Sequence, residues 1–128
     1  LKKDGIMLLH TIGTNNRSNE RSPFINKYIF PGAQLPHLSN LTDIYVDGWH
    51  LEDLQNIGLS YTKTLKHWKK NIGNWDGLDS YDNRFRRMWD FYLCSCAMSF
   101  KIRNLCLWQL VYTKQNSSRI DDCHHIRA

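Results

Sequence analysis

The chain has 128 residues, 41% hydrophobic and 23% charged, with five Trp, six Tyr, five Phe and a formal net charge of +5. That length and aromatic content fit one domain with a modest core and exclude a disordered tail. No apolar run approaches the roughly 20 residues that span a bilayer, and the first residues lack the apolar stretch and cleavage site of a signal peptide, so a soluble, cytoplasmic setting is expected.

In chain order, "GIMLLH" (Gly5 to His10) is a near-continuous apolar run, the pattern of a parallel-sheet strand covered on both faces. Such strands are rarely first elements, so the run leads us to expect a piece whose preceding strands are absent. Residues 11–22 read as loop. "PFINKYIFPGAQLP" suggests a short helix or turn held by Phe24, Tyr28 and Phe30, and such a segment suits a lid. "IYVDGWHLED" reads as a second strand that Gly48 weakens.

A helix is then expected from Asp53 as N-cap, with Leu54, Ile57, Tyr61, Leu65, Trp68 and Ile72 at helical steps and Gly73 as its stop. A second begins after Asp79-Ser80, its stripe being Tyr81, Phe85, Met88, Tyr92, Cys96 and Phe100, widened by Trp89 and Leu93. "LCLWQLVYT" (residues 105–113) reads as a third strand, followed by a polar tail without periodicity. The four cysteines (Cys94, Cys96, Cys106, Cys123) follow no evenly spaced disulfide pattern and read as free thiols. In the tail, Cys123, His124 and His125 are adjacent on one end with no second ligand pair, so no metal is expected.

The positive charge sits in the helical half. Between Tyr61 and Arg103, Lys63, Lys66, Lys69, Lys70, Arg84, Arg86, Arg87, Lys101 and Arg103 face Asp76, Asp79, Asp82 and Asp90. The aromatics there lie at core spacing and are not interleaved with the cations as a base-stacking platform requires, which argues against nucleic acid and for an anionic membrane surface.

"GIMLLHTIG", "INKYIFPGAQLP", "LEDLQNIGLSYTKTLKHWKKN", "YDNRFRRMWDFYLCSCAMSF" and "LWQLVY" together resemble the C-terminal part of the cyclopropane-fatty-acyl-phospholipid synthase family, S-adenosylmethionine-dependent lipid methyltransferases. The resemblance covers almost the whole chain. It implies an α/β fold, the C-terminal portion of a class I (Rossmann-like) methyltransferase sheet. About three strands, two long helices and a substrate-facing loop would fall in this chain, the last strand slotted antiparallel between the other two. Residues 1–114 would be the C-terminal part of the methyltransferase domain and residues 115–128 a tail without fixed structure.

The chemistry it implies is transfer of a methylene group to the cis double bond of a phospholipid acyl chain, at a membrane to which the protein is peripheral. His10 and Tyr61 match the catalytic, bicarbonate-binding His and Tyr, and Ile12 a position contributing through its backbone. A ring N–H, an O–H and an amide suit a small oxyanion without adding a nucleophile. Each has a plainer reading: a His hydrogen-bonded at a strand end, a Tyr packed in a core stripe. Phe24, Tyr28 and Phe30 would line an acyl channel or pack the loop. Glu52 would aid domain positioning or sit in solvent, and Cys96 matches a structural Cys.

Nothing here resembles the glycine-rich turn that cradles S-adenosylmethionine, nor the acidic residue that holds its ribose. The isolated chain is therefore expected to bind cofactor poorly and not to turn over. Three origins fit: a fragment of an enzyme, a subunit whose partner chain supplies the N-terminal half, or a remnant. The functional alternatives are a non-catalytic module binding a membrane or a partner, and part of a related lipid or amine methyltransferase.

Overall fold

The computed structural model describes residues 1–17, 22–43 and 48–117. Its elements run β1 (Ile6–Gly13), α1 (Pro23–Tyr28), α2 (Leu38–Thr42), β2 (Trp49–Asn56), α3 (Gly58–Ile72), α4 (Asn83–Lys101) and β3 (Cys106–Lys114). The three strands form one sheet in the order β1-β3-β2. The last strand thus lies between the other two and is antiparallel to both.

The central place of β3 explains its composition. With a neighbour on each edge and cover on each face it needs apolar side chains throughout. Leu107 joins Leu65 of α3 and Leu93 and Phe100 of α4 on one face. Cys106, Trp108, Leu110 and Tyr112 form a second cluster on the other, packed by Met7 and Leu9 of β1, Leu38 and Leu41 of the α2 segment, and Leu54 of β2. The hydroxyl of Tyr112 donates to Leu41 O at 2.6 Å, pinning α2 to the sheet. In β1 the expected cover on both faces is found only at one end. Met7 and Leu9 are packed and Ile12 reaches the helix-side core, but Ile6 and Leu8 are exposed, and β1 has one strand neighbour among the described residues.

Several expectations are corrected. The helix does not start at Asp53: Asp53 and Leu54 lie in β2, opposite Val111 and Leu110, and the Asp53 carboxylate accepts from Leu54 N. Cross-strand burial of Leu54 outweighs the capping tendency of one Asp. The turn into α3 is made instead by Asn56, whose Oδ1 accepts from Gly58 N at 3.0 Å and Leu107 N at 3.3 Å. Gly58 suits the close packing there, since a Cβ would stand 3.1 Å from Asn56 Oδ1 and 3.2 Å from Leu107 N, tight enough to push the turn apart by a few tenths of an ångström. The second strand is correspondingly displaced along the chain to Trp49–Asn56, and residues 44–47 of the expected strand lie outside the described residues. Of the expected loop 11–22, the first residues are not loop, since β1 continues to Gly13 and Thr14 pairs with His37, and residues 18–21 lie outside the described residues.

The expected long helices are otherwise present. Gly73 ends α3 at φ 56°, a conformation that favours glycine. The helix expected to begin after Asp79-Ser80 starts at Asn83 and is capped by Asp82, its carboxylate accepting from Phe85 N at 2.7 Å. Tyr81 therefore precedes the helix and stacks on Phe85 with ring centroids 4.6 Å apart. Cys94, Cys96 and Cys106 are free thiols, as the spacing predicts. Of the polar segment after Lys114, Gln115 N donates to Gly48 O at 3.0 Å and Ser117 is buried; the residues from 118 onward, with Cys123, His124 and His125, lie outside the described residues.

Candidate functional site

At the C-terminal end of β1, between the α1 segment and the paired helices α3 and α4, lies a cavity of about 430 Å³. Open α/β sheets bind ligands outside the carboxyl ends of their strands. Ile12 enters the cavity from β1, Tyr61, Leu65 and Trp68 from α3, Tyr92, Cys96 and Phe100 from α4, and Phe30 from the segment after α1. The helical periodicity that makes α3 and α4 pair also sends one flank of each stripe into this space, so side chains that read as core become lining.

Tyr61 serves both purposes. Its ring lies 4.9 Å from that of Phe100 and edge-on to Trp68 at 5.9 Å, which fixes its orientation, while the side chain lines the cavity. Two further acidic protons gather beside it. Burial pushes the Cys96 thiol up to about 11. The Tyr92 hydroxyl is raised first by burial and then by Cys96 and Tyr61. Desolvation disfavours the charged forms, so Tyr92 and Cys96 enter neutral solution as O–H and S–H groups. Native alkylation at pH 8 should therefore modify exposed Cys94 well before Cys96, whose thiolate fraction is then on the order of one in a thousand. Peptide mass spectrometry against pH checks this: Cys96 labelling rises only as the pH climbs towards 11, and equal labelling at pH 8 would contradict its burial.

The sequence-derived residues divide. Ile12, Tyr61 and Phe30 meet in the cavity. His10 lies two residues before Ile12 on the same face of β1, outside the lining, with its Nδ1 3.1 Å from Gln109 Nε2. This contact holds the His10 ring to the middle strand and sets its orientation. Phe24 packs edge-on against Phe91 at 4.7 Å and Tyr28 lies exposed 5.5 Å from Phe24, neither in the cavity. Glu52, at the irregularity of β2 between Leu51 and Asp53, accepts a hydrogen bond from the buried Thr113 hydroxyl. It ties β2 to β3 and does not line the cavity.

Sequence reasoning missed Gln109, Trp68 and Tyr92 as site residues. Gln109 carried a signal, being the polar residue inside the apolar run "LCLWQLVY"; the two aromatics carried none beyond their stripe.

The residues present can be tested against the groups the resemblance implies. A nucleotide cofactor needs a glycine cradle between strand and helix, where backbone approaches the ligand closely. Gly13, at the end of β1, is closed off: a Cβ there would meet the Trp108 ring at 2.7 Å and Pro36 O at 2.8 Å. The glycines with open space, Gly32 and Gly77, lie in turns away from any strand end. The described residues thus do not form a cradle for S-adenosylmethionine. A small oxyanion is a better fit, since the cavity offers neutral donors against an apolar wall. Among the described residues no cluster of three or more His, Cys, Asp or Glu suited to a metal occurs, and no helix is long and apolar enough to cross a membrane.

Comparison with known proteins is consistent along the chain. The chain is 38% identical over 124 residues to the cyclopropane-fatty-acyl-phospholipid synthase of Escherichia coli (strain K12), an alignment covering 94% of this chain and 32% of that protein. It is 30% identical over 131 residues to a sphingolipid C9-methyltransferase of Candida albicans, covering 94% of this chain and 26% of that one. The chain therefore spans about a third of the length of the Escherichia coli relative and about a quarter of the Candida albicans one. Among solved structures, a mycolic acid cyclopropane synthase complexed with SAH and CTAB superposes with a TM-score of 0.76 at 26% identity, over 89% of this chain and 46% of that one. A cyclopropane synthase from Mycobacterium tuberculosis gives 0.77 at 24% identity, with the same coverage, and shows the shared fold. The sheet with its two long helices is thus the corresponding part of the α/β methyltransferase fold of cyclopropane synthases. The family model described as mycolic acid cyclopropane synthetase matches residues 1–110, and the chain belongs to that family.

Proposed function

We propose that this chain forms the acyl-chain and bicarbonate side of an S-adenosylmethionine-dependent enzyme that adds a methylene group to the cis double bond of phospholipid acyl chains. The observation that carries this reading is the apolar cavity at the end of β1, where Tyr61, Tyr92 and Cys96 bring neutral donors against aromatic walls. The cofactor, held by residues other than those described, supplies an electrophilic methyl carbon when bound; the isolated chain is inactive.

The chain's own residues do four things on this reading. Leu65, Phe100 and Leu105 exclude water, which would otherwise capture a cationic carbon on the acyl chain. The ring faces of Tyr61, Trp68 and Tyr92 favour positive charge near them. Tyr61 O–H and the Ile12 amide hold bicarbonate from within the cavity and a ring N–H of His10 from beside it, and the bicarbonate takes up the proton released at ring closure. Gln109 orients the His10 ring.

The test uses the protein at its full natural length, incubated with S-adenosylmethionine and vesicles of unsaturated phosphatidylglycerol. The expected product gains the mass of one methylene and loses its olefinic protons in the NMR spectrum. A product that keeps the olefin would assign simple methyl transfer instead, and no lipid product at all would sink the reading.

A further inference from the structure

The cavity mouth adjoins an exposed surface that neither the core nor the site accounts for. α1 and the outward side of α4 meet through Phe24 and Phe91, edge-on at 4.7 Å, and Phe91 is 57% exposed. Tyr28, packed on Phe24, and Phe30, packed on Tyr92, are also exposed, and Phe30 is shared with the cavity lining. Three large aromatics open to solvent beside a cavity mouth form a patch of the kind that marks an interaction site.

The charge on the same elements is mostly positive. Lys27 lies over the Tyr28 ring at 5.1 Å, and both Lys27 and Arg84 draw on the Tyr28 hydroxyl. Arg84 and Arg87 are exposed on α4, two turns and one turn before Phe91 respectively. Of the two helices, α1 has no acidic residue and α4 has only Asp90, which acts on Lys69 of α3. Amphipathic rings at headgroup depth, with cations whose stems lie along them, suit the interface of an anionic bilayer.

We propose that the joint face of α1 and α4, with Tyr28, Phe30 and Phe91 entering the headgroup layer and Lys27, Arg84 and Arg87 on lipid phosphates, seats the protein on an anionic phospholipid bilayer with the cavity mouth against the lipid. The proposal rests on the acyl-chain reading of the cavity and adds to it the route of entry: the chain passes from the bilayer beside Phe30 without crossing water.

The experiment compares wild type with R84Q/R87Q and with F91S, all at full natural length, in co-sedimentation with phosphatidylglycerol and phosphatidylcholine vesicles. Each cation near an anionic surface contributes about a fivefold change, so R84Q/R87Q should weaken phosphatidylglycerol binding by about 30-fold and lower its salt dependence. F91S should weaken it at all salt concentrations. Both variants should keep transfer to a detergent-dispersed short-chain lipid and lose it on vesicles. Unchanged vesicle binding in both variants, equal losses on dispersed and vesicular lipid, or recruitment by a protein partner regardless of lipid charge would each overturn the proposal. Binding that follows these variants in a protein that transfers nothing to any lipid would uphold this surface and defeat the proposed function alone. Far-UV circular dichroism confirms folding, and R84Q/R87Q, which alters only exposed side chains, decides the matter should F91S be unstable.

Discussion

Tyr61→Phe lowers the turnover number for methylene transfer by about 100- to 1,000-fold in the protein at its full natural length, the usual cost of removing one donor from a preorganised oxyanion site. The change deletes a single hydroxyl. The ring keeps its contacts with Phe100 and Trp68, so the urea midpoint should stay close to wild type. The plain packing role of Tyr61 makes the opposite forecast, because a ring that only fills space loses nothing when its hydroxyl goes. Steady-state kinetics separates the two. A fall in turnover with stability intact supports the donor role; unchanged turnover assigns Tyr61 to the core. A rise in KM alone would mean that the hydroxyl binds substrate and transition state equally.

His10 is expected to respond through Gln109. Gln109 Nε2 lies 3.1 Å from His10 Nδ1, so removing that amide releases the ring's orientation without touching the ring itself. His10, beside the cavity, thus depends on a partner in the middle strand, which no local stretch of β1 or α3 announces. This is where the sequence was least legible. The stripes of α3 and α4 were plain from their three- and four-residue steps, and so was the continuous apolar run that became β3, because burial on both faces leaves no other composition. Which flank of each stripe would turn into a cavity depends on how α3, α4 and β1 are set against one another. Periodicity records only that a face is apolar, so Trp68 and Tyr92 looked like any other core aromatics.

The error at Asp53 has the same origin. Asp before an apolar residue is a sound local signal for a helix start, and Leu54 fits the helical register. The signal fails because Leu54 has a place opposite Leu110 in the second core cluster, while Asn56, only two residues before Gly58, satisfies both the turn and Leu107 N. Long-range pairing outweighs a cap contribution of about 1 kcal/mol. The motifs that carried the family resemblance were legible for a different reason: they mark places where strand, turn and helix must meet in one geometry, as at Ile12, Asn56 and Gly58.

Phe100→Ala should be the most destabilising single change in the helix pair, costing about 3–5 kcal/mol through lost burial and the cavity left behind. Phe100 is 1% exposed where α4 meets Leu65 of α3 and Leu107 of β3, so there is little freedom for neighbours to collapse into the gap. Set against a domain stability of about 5–15 kcal/mol, that loss leaves little reserve. Phe91→Ala, on the exposed side of the same helix, should fall within about 0.5 kcal/mol, so the pair controls for any general effect of shortening an aromatic on α4. Urea unfolding of both variants measures the contrast, and equal midpoints would refute the placement of the core. Phe100→Leu adds a functional reading: it keeps most of the volume at a cost below about 1.5 kcal/mol, yet removes the ring 4.9 Å from Tyr61. A folded Phe100→Leu protein with reduced turnover would show that the same packing that stabilises the helices also aims the Tyr61 hydroxyl.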